Sequence, residues 1–78
     1  MSIASEWGDY RRRVIPDDAS DVQITESRRA FYAGAYSLLT VFRYVGEPQV
    51  SEDDGVSMLE DLWQECQKFY RDVKEGRA

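Results

Sequence analysis

The chain has 78 residues, one cysteine and no histidine. This length allows one small domain, whose single core is only marginally stable unless a disulfide, a metal or a partner subunit supplements it. An internal disulfide is excluded because Cys66 is alone, and the lack of histidine and of clustered cysteines argues against a zinc site. Self-association is therefore the predicted supplement, and we expect no metal and no cofactor.

The net charge of −5 is unevenly distributed along the chain. Residues 1–46 carry six Asp or Glu and six Arg, whereas residues 47–78 carry nine Asp or Glu and four Lys or Arg. The acidic surplus opposes direct binding of DNA or RNA, while the arginines of the first half remain able to bind a small anion. The sequence has neither a signal-peptide pattern nor an apolar run that could span a bilayer, which predicts a soluble, cytoplasmic protein without membrane contact.

The first predicted element is a short helix over about residues 5–14, with Ser5 as the expected N-cap. One face of this helix is expected to lie against the next helix and is shared by Trp7, Tyr10 and Val14. Pro16 ends the helix and begins a connector. The three arginines at 11–13 have aspartates on both sides, which favours a solvated or salt-bridged edge over a nucleic-acid patch.

A second, longer helix is predicted over about residues 21–45, capped by Ser20 or Asp21 and ended by Gly46. Its apolar seam alternates steps of four and three residues, a heptad pattern: Ile24, Arg28, Phe31, Ala35, Leu38, Phe42 and Val45. A second face carries the small residues Ala30, Ala33, Gly34 and Ser37. A third face carries Thr25, Arg29, Tyr32, Tyr36 and Arg43. Because glycine is unfavourable inside a helix, the small face predicts the close approach of another backbone.

The third predicted helix covers about residues 52–75 and begins after the N-cap Ser51. Its seam is Leu59, Leu62, Cys66, Phe69 and Val73, and Val56, Trp63 and Tyr70 widen it. Because two long helices are joined by a short loop, they are predicted to form an antiparallel hairpin. The small-residue face, Trp63 and Tyr70 would stay uncovered by that hairpin. The predicted fold is therefore a single all-α domain, residues 1–78, with a short N-terminal helix and the hairpin of two long helices in a homo-oligomeric bundle. A dimer is the simplest form and a higher ring is the alternative.

No arrangement of residues in the sequence favours catalysis. A nucleophile needs a base within reach, and Cys66 has no histidine to serve it. Cys66 also lies in the predicted seam, so we expect it to be a small buried core residue. The carboxylates of Asp61 and Glu65 share a helix face, but that face is expected to be exposed and not part of a pocket. We expect no catalytic residues and no enzyme activity.

Arginine and aromatic residues are concentrated on the first two predicted helices. The predicted ligand-binding residues are Arg28, Arg29, Tyr32 and Tyr36, with Trp7, Tyr10 and Arg11 folded over them. Guanidinium groups bind phosphate oxygens bidentately and flat rings stack on bases, which predicts a pocket for a cyclic nucleotide or another small anion. The alternative is a structural network, in which Arg28 or Arg29 pairs with Glu26, Asp9 or an acid of the third helix and the tyrosines line an interface.

One stretch of the chain resembles a known group of proteins. The residues concerned are Trp7, Tyr10, Pro16, Gln23, Glu26 and the string RRAFYAGA at 28–35. Over about residues 7–36 they resemble very short proteins encoded by tailed phages and prophages, most of them without an assigned role. The resemblance implies an accessory protein that acts against a host defence, as helical oligomers that sequester cyclic nucleotide signals do.

A second reading of the function concerns the acidic third helix. Its carboxylates are Glu52, Asp53, Asp54, Glu60, Asp61 and Glu65. Such a helix suits a basic groove that is meant for nucleic acid, so the alternative function is a protein-binding inhibitor of a host defence or nucleic-acid-binding complex. A part in the phage particle is a third option, and no feature of the sequence is typical of it.

Overall fold

The computed structural model describes all residues, 1–78, and the chain is all-α without strands. Its helices are α1 (Ile3–Val14), α2 (Asp21–Val45) and α3 (Glu52–Lys74). The all-α class and the three predicted helices are thereby confirmed, and the antiparallel hairpin and the oligomeric bundle stay predictions. None of the three helices combines the length and the apolar character that a membrane crossing requires. Contacts within the chain divide it into two units, Met1–Val41 and Phe42–Ala78, which are described separately.

The N-cap of α1 is Ser2, so the predicted cap at Ser5 is wrong and the helix begins two residues earlier than expected. The Ser2 hydroxyl accepts a hydrogen bond from the Ser5 backbone N–H at 3.0 Å, and the Ser5 hydroxyl accepts one from the Ser2 N–H at 3.1 Å. This reciprocal pair is a capping box with serine where Glu or Gln is usual. The end of α1 is as predicted, because Ile15 before Pro16 is extended, with φ −83° and ψ 126°.

Three aromatic rings hold α1 against α2 in the first unit. The ring centroids of Trp7 and Tyr10 lie 5.6 and 5.4 Å from that of Phe31 and 6.0 Å from each other. Trp7 is 7% exposed and is the only buried apolar side chain in the chain. Each such aromatic pair stabilises by about 0.5–1.5 kcal/mol beyond the effect of burial. The predicted packing face is confirmed for Trp7 and Tyr10, whereas Val14 is exposed.

The two alternatives for the N-cap of α2 are resolved in favour of Ser20. The Ser20 hydroxyl accepts a hydrogen bond from the Gln23 backbone N–H at 3.1 Å, and Asp21 is the first helical residue. At the other end α2 stops at Val45, and the N–H of Gly46 donates to the Phe42 carbonyl at 3.1 Å. Local chemistry therefore determines both ends of α2, as the sequence predicts.

The small-residue face of α2 is exposed along its length. A Cβ built at Gly34 would meet nothing within 4 Å, so no other backbone of this chain comes close to it. The neighbouring Ser37 hydroxyl donates to the Ala33 carbonyl at 3.0 Å and needs no further partner. The predicted close approach therefore requires a second copy or another partner.

Replacing Gly34 with alanine is expected to raise the free energy of unfolding of the monomeric chain by about 0.5–1 kcal/mol, because alanine loses less backbone entropy in a helix. Urea unfolding at low protein concentration measures this. The control is Gly76→Ala, which should destabilise because Gly76 has a φ of +75°. A monomer destabilised by Gly34→Ala would contradict the exposed position of this face.

The second unit contains the packed N-terminal end of α3. Ser51 caps the helix as predicted, since its hydroxyl accepts from the Asp54 backbone N–H at 3.1 Å. Gly55 in the first turn of α3 is buried, and a Cβ there would come within 3.0 Å of Val45 Cγ1 and 4.0 Å of Val50 Cγ1. Glycine at this position lets the first turn of α3 lie close to the last residue of α2 and to the loop between the two helices. The burial of this glycine was not predicted from the sequence.

The C-terminal end of α3 is a Schellman motif around Gly76, which has positive φ. The N–H of Arg77 donates back to the Asp72 carbonyl at 2.7 Å, and the helix ends at Lys74, one residue before the predicted end. The Asp72 carboxylate accepts hydrogen bonds from Lys68 at 2.8 Å and from Arg77 at 3.0 Å. These two bonds, that of Lys68 first, lower the pKa of Asp72 below its ordinary value.

The apolar seam predicted for α3 is largely uncovered. Leu62 is half-buried, but Phe69 and Cys66 are exposed. The prediction that Cys66 is a buried core residue is therefore wrong for the single chain, because its side of α3 faces solvent. Trp63 and Tyr70, which were expected to stay uncovered, are exposed. Large exposed apolar patches are uncommon on monomers and indicate an interaction surface.

Candidate functional site

A concave pocket of about 610 Å³ lies between α1 and the first half of α2, inside the first unit. The α1 side is formed by Ala4, Trp7 and Arg11, which share one helix face. The α2 side is formed by Ile24, Thr25, Arg28, Arg29 and Tyr32. The volume is within the usual range of small-molecule sites, about 300–1,000 Å³.

Five of the seven predicted ligand-binding residues meet in this pocket: Trp7, Arg11, Arg28, Arg29 and Tyr32. Tyr36 lines an adjoining cavity of about 500 Å³, which shares Arg29 and Tyr32 with the pocket. The other residues that line this cavity are apolar. Tyr10 lines neither cavity, because its ring packs on Trp7 and Phe31 and so supports the wall of the pocket from behind. The structure thus brings most of the predicted residues together, and their binding of a ligand stays a prediction.

Three lining residues, Ala4, Ile24 and Thr25, were not among the predicted site residues, although Thr25 was assigned to the same face of α2 as Arg29 and Tyr32. Ala4 could have been found from its spacing, because Ala4, Trp7 and Arg11 stand at i, i+3 and i+7 on α1. Ile24 was assigned to the apolar seam of α2, and in the structure it lines the pocket on the same side as Arg28.

The arginines of the pocket are hardly neutralised by carboxylates. Arg11 and Arg28 form no ion pair. The Arg28 guanidinium carbon lies 5.5 Å from the centroid of the Tyr32 ring, a cation–π contact that is worth about 0.5–1 kcal/mol at exposed sites. Arg29 Nη1 is 3.5 Å from Glu26 Oε1 and both side chains are exposed, so this pair contributes at most about 1 kcal/mol. The guanidinium N–H groups are therefore available to an anion.

The alternative prediction, in which Arg28 or Arg29 forms ion pairs within a structural network, is confirmed only for one pair. Of its suggested pairs, the long contact between Arg29 and Glu26 is present. Asp9 instead accepts a close hydrogen bond from Arg12, and its backbone carbonyl accepts one from Arg13 Nε at 3.4 Å. The run of three arginines is thus divided, because Arg12 is salt-bridged to Asp9 and Arg13 is bonded to the Asp9 carbonyl, while Arg11 lines the pocket.

The lining of the pocket combines cationic and aromatic groups. It supplies guanidinium donors, an indole and a phenol ring, and one aliphatic hydroxyl, but no carboxylate, imidazole or thiol. Nowhere in the chain do three or more Cys, Asp or Glu side chains form a group that could hold a metal ion. Comparisons of the chain with protein-family models, curated proteins and solved structures give no match.

Proposed function

We propose that the chain is a non-enzymatic phage accessory protein that binds and sequesters a small nucleotide signal as a homo-oligomer and so counters a host defence. The observation that carries the proposal is the 610 Å³ pocket, which three arginines line together with Trp7 and Tyr32. The phage setting is supported by the resemblance of residues 7–36, and the ligand class by the pocket.

The two parts of a nucleotide suit the two kinds of group in the pocket. Phosphate oxygens accept paired hydrogen bonds from the unpaired guanidiniums of Arg11 and Arg28. A base stacks on the half-buried ring of Tyr32, with about 1–3 kcal/mol per stacked base, while the buried Trp7 lines the pocket. The adjoining cavity beside Tyr36 offers apolar room for a second base or a ribose.

Binding without turnover is proposed because the pocket lining lacks a general base. Thr25 carries the only aliphatic hydroxyl among the lining residues, and no lining carboxylate or imidazole is there to activate it. Hydrolysis of a phosphodiester would need such a base or a metal ion. A protein that holds a signal without cleaving it lowers the free concentration of that signal in proportion to the amount of protein.

Isothermal titration with a panel of cyclic dinucleotides and cyclic trinucleotides tests the proposal. We expect saturable heat from at least one member, recovery of the ligand unchanged, and no comparable heat from inorganic phosphate, which lacks a base to stack. The absence of heat with every member of the panel would count against nucleotide binding. Conversion of the ligand into another species would contradict the non-enzymatic part.

The alternative function, inhibition of a macromolecular complex, is favoured by one observation on α3. None of its first six carboxylates takes part in an ion pair: Glu52, Asp53, Asp54, Glu60, Asp61 and Glu65. The acidic half of a helix without ion-pair partners suits a basic groove on another protein. A pull-down from host lysate at low and high salt separates the two functions. Capture of a protein at low salt that is lost at high salt would favour this alternative over the small ligand.

A further inference from the structure

A regular apolar stripe runs along the exposed side of α3. Its members follow one another at steps of three and four residues: Val56, Leu59, Trp63, Cys66, Tyr70 and Val73. All six are exposed, and Trp63 and Tyr70 are 61% and 66% exposed. The packed edge of the same helix borders the stripe, with Gly55 buried and Leu62, between Leu59 and Cys66, half-buried. Alternating steps of three and four are the pattern by which one helix packs along another, so the stripe fits a partner helix.

The sizes of the side chains in the stripe suit an antiparallel copy of α3. In an antiparallel pair centred between residues 63 and 66, Trp63 meets the partner's Cys66, which is small. Tyr70 meets the partner's Leu59 by the same symmetry. A parallel pair in register would instead place Trp63 on the partner's Trp63 and Cys66 on the partner's Cys66, so that overfilled and underfilled layers alternate. The antiparallel pair therefore has the denser core, because each large side chain packs against a small one.

The charges of α3 favour the same orientation. Residues 52–65 carry six Asp or Glu and no Lys or Arg, whereas residues 66–78 carry four Lys or Arg and two Asp or Glu. An antiparallel pair places the acidic half of each copy beside the basic half of the other. A parallel pair places six carboxylates beside six carboxylates, and like charges in contact oppose association.

The exposed area of the stripe is sufficient for a dimer. Fully buried aromatic side chains cover about 150–250 Å² each, so the six partly exposed side chains of the stripe leave on the order of 600 Å² per copy. A pair of copies would bury roughly 1,200 Å² in total, which is the lower end of specific interfaces. Polar flanking residues add to this area.

We propose that α3 pairs antiparallel with the α3 of a second copy of this chain through the stripe. The inference rests on the self-association contained in the proposed function and identifies its surface and orientation. No residue of the stripe lines the nucleotide pocket, so pairing and ligand binding are measured independently.

Single cysteines at the two ends of the stripe test the orientation. One variant carries Val56→Cys with Cys66→Ser, and the other carries Val73→Cys with Cys66→Ser. After mild oxidation, a mixture of the two is expected to form a disulfide-linked dimer of about 18 kDa, twice the chain mass of 9.1 kDa, while either variant alone forms little. Crosslinking of either variant alone, without an excess in the mixture, would establish a parallel pair and overturn the inference. No crosslink in any sample would overturn it as well.

A pair of glutamate substitutions tests the surface itself. Trp63→Glu is expected to give the 9.1 kDa mass of a single chain in light scattering, because it places a charge in the centre of the stripe. Gln64→Glu adds the same charge at the adjacent exposed position, outside the stripe, and should keep the mass of the native protein. Equal masses for the two variants would contradict the proposal, whatever the outcome of the nucleotide titration. If the chain binds a nucleotide but does not crosslink, the pairing of α3 is overturned and the proposed nucleotide binding stands.

Discussion

Replacing Trp7 with alanine is expected to lower the free energy of unfolding by about 3–5 kcal/mol, the largest effect of any single substitution in this chain. Trp7 is the only buried apolar side chain, and its ring contacts both Tyr10 and Phe31. Small domains have a total stability of only about 5–15 kcal/mol, so the loss should release α1 from α2. Circular dichroism should show the loss of helical signal from the 12 residues of α1, and urea unfolding measures the free energy.

Trp63→Ala is the matched control for this prediction. It removes the same side chain from a position that is 61% exposed, in the second unit. At low protein concentration, where copies do not pair, its effect on stability should stay within about 0.5 kcal/mol, as is usual for surface substitutions. Equal destabilisation by the two substitutions would contradict the position of the core at Trp7.

Arg28→Ala is expected to weaken nucleotide binding about tenfold or more. Hydrogen bonds to charged groups contribute about 1.5–3 kcal/mol, and each 1.4 kcal/mol corresponds to a factor of ten. Arg28 lines the pocket and has no carboxylate partner that a phosphate would have to displace. Titration with whichever nucleotide of the panel gives heat measures the change, and circular dichroism confirms that the variant is folded.

Two further arginine variants make the Arg28 result specific. Arg43→Ala removes an exposed arginine of the same helix that does not line the pocket, so its affinity should equal that of the native protein. Arg28→Lys keeps the positive charge but loses the planar guanidinium group. Its affinity for the nucleotide should lie between those of Arg28→Ala and Arg43→Ala. Losses of equal size for Arg28→Ala and Arg43→Ala would indicate a general charge effect and contradict a specific phosphate contact.

The ends of the helices could mostly be predicted from the sequence, because they depend on neighbours a few residues away. Ser51 caps α3 and Gly46 follows the end of α2 as expected. The N-cap of α1 was missed since both Ser2 and Ser5 satisfy the local rule. The backbone decides between them, because Ser2 is extended, with φ −153° and ψ 163°, whereas Ser5 is already helical.

Burial in the seams could not be predicted in the same way. Steps of three and four residues define a helix face, but the same steps describe a face covered within the chain and a face left for a partner. On α3 the predicted seam and the exposed apolar stripe have three residues in common, Leu59, Cys66 and Val73. All three are exposed. The expectation of a buried Cys66 failed for this reason.

Most of the pocket residues could be predicted because their spacing on each helix places them on one face. The roles of the two aromatic residues of α1 could not be separated in advance. Trp7 lines the pocket while Tyr10 lies behind it, and this depends on how α1 is rotated about its axis. The contacts of both rings with Phe31 determine that rotation, and these contacts join residues distant in the sequence.

The two tryptophans of the chain lie in opposite surroundings, one in each unit. Trp7 is 7% exposed and Trp63 is 61% exposed. Indole emission shifts to longer wavelength in water, and a soluble quencher such as acrylamide reaches only the accessible ring. The protein therefore contains two intrinsic fluorophores with distinguishable spectra. Loosening of the first unit would be seen as a red shift of Trp7, and contact of α3 with another helix as a blue shift of Trp63, in the same unlabelled sample.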